Sequence, residues 1–354
     1  MKDGFGSIIS GSIEWTKVLL FKPFSFKKWL ALFIIALFAF ELQGGCNFNF
    51  DLPAKKDAQE AKRVPQKPDD AFSFDKAGGV YDNAAQRYGR TKVALLTVFI
   101  GVLIVLLLLL LEWIYSNFSF LFIEAVAKNE ASIRGPFVRN RPLGNSYFAW
   151  NIAYLIMVFG VYALLAKGGY DSLARLGVFK EGIEFSFGMA VKAILVYLTA
   201  GICFSIFSLL LSFFISNYVL IVMYKDRLSI LNALPVSLGL VTSDIASFVK
   251  YIFVKLGLRI VTSIMGSVIA LCLLITLFIP GILLAAIFVI IYKIIPVPAQ
   301  PAYIIIMSIA GVPLIAALLV FMNMVFLPLS VFHRTFNLKF ISRISDKYNL
   351  FKLT

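Results

Sequence analysis

The residue of this sequence most able to do chemistry is Glu112, a carboxylate that closes the apolar run 93–111. A charged group inside a long apolar stretch is costly and points by default to function. Ser116 and Ser119 share its helical face at i+4 and i+7, with Asn117 beside them. Such a group could carry a proton or a cation. The plainer reading, which leads, sets Glu112 near the inner interface, where it reaches headgroups or pairs with a cation. It lies about one bilayer thickness beyond Lys92.

Ser205, Ser208, Ser212 and Ser216 form a hydroxyl stripe on a later apolar run. A polar permeation lining is one reading. Close helix packing through small residues is the commoner one, and Thr262, Gly266 and Ala270 read the same way. Asn323, near Pro328, could bond a neighbouring helix. His333 and the three cysteines, Cys46, Cys203 and Cys272, form no metal-ligand cluster. His333 reads as an interfacial side chain, and Cys203 and Cys272 as small packing residues. There is no nucleotide-binding or HExxH motif. We expect no metal, no cofactor and no catalytic constellation, and hence no enzyme.

The elements that must position these residues follow from composition. Of 354 residues, 60% are hydrophobic and 15% charged, with a mean hydropathy of +0.89. An ordinary soluble domain is nearer half apolar and a quarter charged. The expectation is an all-α polytopic transmembrane helical bundle with six spans and interfacial amphipathic helices.

Residues 1–28 read as an interfacial N-terminal helix, with Ile9, Ile13, Thr16 and Leu20 on one face and aromatics interleaved with lysines behind it. The alternative is a helix packed on the rest of the protein. The first span is 29–46, followed by a polar extracytoplasmic loop at 47–90. A five-span core at 91–332 contains a basic turn at 134–142, a cytoplasmic elbow at 225–258, and a final span at 303–331. Residues 333–354 read as a cytoplasmic tail. In the elbow, Ser243 would cap a helix with Ile245, Phe248, Val249, Ile252, Phe253 and Leu256 on one stripe. Pro280 reads as a kink, with a chain reversal as the alternative.

Charge sets the orientation. The proposed inner segments carry 19 Lys and Arg, against 5 on the two short outer loops. This places both termini in the cytoplasm of a bacterial inner membrane. Arg134, Arg139, Arg141, Lys250, Lys255 and Arg259 are expected to meet anionic headgroups on that side. The net charge of +14 is mostly this orientation signal. Nucleic acid is not expected as a partner, because no basic patch separates from the membrane flanks. A membrane-protein partner is the other candidate.

Several short motifs carry a family likeness: Pro23-Phe24-Ser25-Phe26-Lys27-Lys28-Trp29, Gly44-Gly45-Cys46-Asn47, Arg134-Gly135-Pro136-Phe137 with Tyr147-Phe148-Ala149-Trp150, and Phe332-His333-Arg334. Through them the chain resembles a diffuse group of uncharacterised bacterial and archaeal polytopic membrane proteins. It is also similar to the membrane domain that accompanies some glycerophosphodiester phosphodiesterases. The resemblance implies an architecture and no substrate, because the phosphodiesterase catalytic domain is missing. A non-catalytic membrane scaffold or accessory component is the leading expectation. A transporter using Glu112 and the serine stripe is the alternative.

Overall fold

A computed structural model describes residues 4–42, 89–178, 187–294 and 321–353, with isolated positions between 296 and 320. The described residues are almost all helical, with no strand among them. In order they form α1 (Phe5–Phe21), α2 (Phe26–Phe38), α3 (Arg90–Lys128), α4 (Arg134–Arg175) and α5 (Phe187–Phe214). A π-turn (Ile215–Val219) leads into α6 (Leu220–Asp226), then α7 (Ile230–Ser243), α8 (Ile245–Ile294) and α9 (Leu327–Ile344). Two 3-10 turns, Asp346–Tyr348 and Leu350–Leu353, follow.

Four helices are long and apolar enough to cross a membrane: α3, α4, the continuous stretch Gly188–Asp226, and α8. The expected first span is instead α2. Its 13 residues reach about 20 Å, short of a 30 Å hydrocarbon core, and Leu32, Phe33, Ile35 and Ala36 are buried within the protein. Ten of the 29 positions of the expected final span, all between 304 and 319, lie outside the described residues, as does the 47–88 part of the polar loop. Four of the six expected spans are thus seen among the described residues.

The chain divides into two compact units, Met1–Gly45 with Trp113–Thr354, and Cys46–Glu112. The described part of the second is the apolar start of α3, with exposed Leu103, Val105 and Leu107. In the first unit, the core gathers at particular helix ends. Phe120 to Ile123 come from α3, Leu143 and Tyr147 from α4, Leu220 to Met223 from α6, and Tyr251 from α8. α1, α2 and α9 pack around them. None of the most apolar stretch of α4, Gly188–Asp226 or α8 is buried in the protein. The exposed apolar faces are those a bilayer would solvate.

Local chemistry sets several boundaries. α3 ends where Asn129 adopts φ 55°, a left-handed position that Asn tolerates. The expected basic turn 134–142 is helical, because Pro136 falls in the first turn, where a missing N–H costs nothing, and Pro142 is absorbed within α4. Ser146 Oγ accepts the Ile230 amide at 3.1 Å, so α4 caps α7. Asp244, not Ser243, caps α8: its Oδ1 accepts the Ser247 amide at 3.0 Å, while Ser243 bonds back to Leu240. α8 runs unbroken through Pro280, so the chain does not reverse there.

α1 packs along α9. Its buried face is Ile8, Ser12, Thr16, Leu19 and Leu20, one position round from the expected stripe, and Ile13 is exposed. Ser12 and Thr16 return their hydroxyls to the backbone of their own helix at 2.6 and 2.7 Å. Phe5 stacks on Phe340 at 5.9 Å, and Trp15 donates to the Val126 carbonyl at 2.8 Å.

Candidate functional site

The π-turn is where polar chemistry collects. An i→i+5 turn inside an α-helix is rare and frequently marks a functional site. Here it carries Ser216, Asn217 and Tyr218. Asn217 donates to the Phe213 carbonyl at 2.6 Å, which fixes its amide with Oδ1 facing the core. Asn337 Nδ2 from α9 donates to that oxygen at 2.8 Å, and Lys255 Nζ from α8 donates to it as well. Lys255 also donates to Asn337 Oδ1 at 2.9 Å, and the Tyr251 hydroxyl reaches the same oxygen at 2.7 Å. The Phe213 and Tyr251 rings flank the ammonium at 4.9 and 5.6 Å.

Lys255 is 6% exposed. Among the described residues, no carboxylate lies within ion-pair distance of it. Two amide oxygens and two ring faces solvate the cation in place of water. Asn217 and Asn337 each bridge two elements, so α5, α8 and α9 share one hydrogen-bond centre.

Two further contacts adjoin it. Arg334, 2% exposed, donates to the Ser216 carbonyl at 3.2 Å and pairs with Glu41. His333 Nε2 lies 2.8 Å from Thr262 Oγ1. The Thr262 hydroxyl donates to the Leu258 carbonyl at 2.8 Å, so it accepts from His333. That assigns the Nε2–H tautomer and leaves buried Nδ1 without a partner. Burial first, then the Lys255 and Arg259 charges, hold the imidazole down to a pKa of about 4. His333 is thus a buried neutral histidine rather than an interfacial one, and the expected tail beyond it is a helix packed into the core.

A second polar cluster, which the sequence did not single out, surrounds Glu124 at the end of α3. Glu124 is 3% exposed and accepts from Lys128 at 2.9 Å, from Asn140 at 2.6 Å, and from Arg139. Arg227 completes the set through Asn140 Oδ1 at 2.5 Å. The i, i+4 spacing of Glu124 and Lys128 was its only local signal.

The expected site residues are dispersed. Ser116 accepts from Asn151 at 3.4 Å. Ser205 and Ser208 bond Tyr162 and Tyr154 of α4: Tyr162 lies 2.6 Å from Ser205 Oγ, and the Tyr154 hydroxyl also reaches the Ser208 carbonyl at 2.9 Å. Ser212 is exposed, and Ser216 is half-buried. Glu112 and Asn323 are half-buried, and Glu112 belongs to the second unit. Of the six expected headgroup cations, Arg134, Arg141, Lys250 and Arg259 are exposed. Arg139 is tied to Glu124, and Lys255 is enclosed. Cys203 and Cys272 are exposed rather than packed. Gly266 of the small-residue seam meets Phe326 and Leu329, as a packing seam should. Among the described residues, no group of three His, Cys, Asp or Glu side chains gathers to hold a metal.

No curated protein and no solved structure matches the chain. A family model described as "Family of unknown function (DUF7544)" matches residues 7–351. It supports the uncharacterised-family side of the resemblance and carries no link to phosphodiesterase-associated domains. With nearly its whole length covered by that match, the chain belongs to the DUF7544 family.

Proposed function

We propose that this chain is a non-catalytic scaffold or accessory component of the bacterial inner membrane, multi-pass, with both termini in the cytoplasm. One observation carries the reading. The hydroxyls that could line a path, Ser205 and Ser208, are bonded by the tyrosines of α4. Ser172 and Tyr197 continue the same seam at 3.0 Å. Hydroxyl pairs of this kind hold two helices together in lipid. The exposed Arg141, Lys250 and Arg259 then serve anionic headgroups, each contributing about 1 kcal/mol near the surface.

A transporter is the second reading, favoured by the enclosed Lys255 among the spans. Proteoliposomes with a pH-sensitive dye separate the two. A scaffold gives no proton flux above protein-free vesicles, and Glu112→Gln leaves membrane localisation and partner recovery unchanged. A flux present in the native protein and lost in Glu112→Gln or Lys255→Met would replace the scaffold with the transporter. Orientation has its own check: a cysteine placed at Lys250 should resist an impermeant reagent in intact cells, and external labelling would reverse the topology.

A further inference from the structure

The loop between α1 and α2 presents uncovered aromatic rings. Phe21, Phe24 and Phe26 are 50%, 62% and 62% exposed. Lys22 and Lys27 stand exposed among them, and Lys17 is exposed one turn earlier. The nearest acids in sequence are Glu14 and Glu41. The loop is braced from behind. Trp29 Nε1 donates to the Leu20 carbonyl at 2.7 Å, and its ring meets Phe21 at 5.8 Å and Phe24 at 6.3 Å. Lys28 Nζ donates to Asn129 Oδ1 at 2.7 Å, which pins the start of α2 to the end of α3.

Rings and lysines together suit either a bilayer surface or an acidic protein segment, and position decides between them. Tyr147 opens the apolar run of α4, and its hydroxyl lies 3.2 Å from that of Tyr115. From Tyr115, α3 continues to Asn129, about 21 Å further at 1.5 Å per residue. The headgroup layer on one side of a bilayer is only about 5–8 Å deep. A typical span tilt of about 20° removes little of the difference. α2 runs back along the same stretch, since Phe38 meets Phe118 at 5.1 Å and Phe40 meets Tyr115 at 5.7 Å at its other end. The 21–27 loop therefore stands at the far end of this layer, clear of the headgroups.

We propose that the 21–27 loop is a docking site for an acidic amphipathic segment of a partner protein. Apolar side chains of the segment cover Phe21, Phe24 and Phe26, and its carboxylates meet Lys17, Lys22 and Lys27. The proposal deepens the scaffold reading, on which it rests for the existence of a partner.

The test uses the full chain in nanodiscs, with Cys46, Cys203 and Cys272 replaced by serine and an environment-sensitive dye on Ser25→Cys. The probe is a synthetic 18-residue amphipathic helix with one leucine face and one glutamate face. The expected result is a saturable blue shift. It should weaken at least tenfold in the K17Q/K22Q/K27Q triple variant or in high salt, and vanish in the F21S/F24S/F26S variant. No shift, or an equal shift with a lysine-faced peptide, overturns the proposal. Quenching of the dye by doxyl lipids in the nanodisc also overturns it, in favour of a membrane occupant. The size of the complex extracted from cells by mild detergent reads the scaffold itself. If the native chain runs alone, the scaffold reading fails whatever the peptide does. If the native chain and the F21S/F24S/F26S variant run in the same assembly, only the docking site fails.

Discussion

Replacing Lys255 by methionine should leave the protein about as stable as before, although the lysine is enclosed and makes two hydrogen bonds. The reason lies in what its partners keep. Without the ammonium, Asn217 Oδ1 retains the Asn337 amide at 2.8 Å, and Asn337 Oδ1 retains the Tyr251 hydroxyl at 2.7 Å. Neither acceptor is orphaned. Two hydrogen bonds from a charged donor are lost, about 1.5–3 kcal/mol each. Against them stands relief of a cation held without a carboxylate, several kcal/mol by itself. The thioether then packs on the Phe213 and Tyr251 rings, a contact of about 0.3–1.5 kcal/mol. The net change should lie within about 2 kcal/mol of zero.

Asn337→Leu is the contrast. It takes the Asn337 acceptor from Tyr251 and leaves Lys255 with one amide oxygen, a loss of about 3–5 kcal/mol. Thermal melts in one detergent, followed by tryptophan fluorescence, read both. At about 2 °C per kcal/mol for a chain this large, Asn337→Leu should fall by roughly 6–10 °C and Lys255→Met by less than half of that. A larger fall for Lys255→Met would refute the reasoning, because the lysine would then be a structural strut rather than a cation kept at a cost.

Gly144→Ala should cost about 1–3 kcal/mol, since the new Cβ would lie 2.9 Å from the Asn117 Cα as well as against its amide oxygen; the same melts check it, and an unchanged Tm would show that α3 and α4 can part freely. Glu124→Leu should cost about 2–4 kcal/mol, mostly from buried Asn140, because Lys128 and Arg139 are 30% and 50% exposed and can return to water. Glu124→Gln keeps an oxygen for Asn140 and should lose less than half as much; equal losses would mean that charge, not the Asn140 bond, holds the cluster. His333 gives a pH dependence. Its folded pKa of about 4 lies below the ordinary 6.5, so the unfolded chain takes up the proton first. Its contribution is complete above pH 6.5 and is lost as pH falls toward 4, up to about 3 kcal/mol. Melts between pH 7.5 and 4 should show this fall, and His333→Gln should flatten it.

Continuous apolar runs made the long helices legible, because a run such as 93–111 has few structures open to it in lipid. Their inner faces were not legible. Of the stripe Ile245, Phe248, Val249, Ile252, Phe253 and Leu256, only Phe248 and Ile252 pack against the core; the other four are exposed, and Tyr251, Lys255 and Thr262 are the buried side chains. Periodicity fixes that a helix has two faces; in a bilayer it does not fix which one is inside. Lys255 was read as a headgroup cation because its acceptors, Asn217 and Asn337, lie far along the chain. The π-turn that aims Asn217 has no sequence signature. Glu124 was overlooked for the opposite reason: its partner Lys128 is near, but Arg139 and Asn140 lie across the turn between α3 and α4. The first span expected at 29–46 is seen only as the 13-residue helix Phe26–Phe38, too short by itself to bridge a bilayer, and 43–46 lie outside the described residues.

The packing of α1 against α9 has a consequence for the order of synthesis. At about 5–20 residues per second, the ribosome completes α1 some 15–60 seconds before α9 emerges. During that interval Ile8, Leu19 and Leu20 lack the helix that later covers them, while the four long helices can already enter the membrane. Insertion and closure of the core are thus separate events in time: Phe336, Leu338 and Phe340 of α9 arrive late to seal it, with Tyr348 and Leu350 behind them.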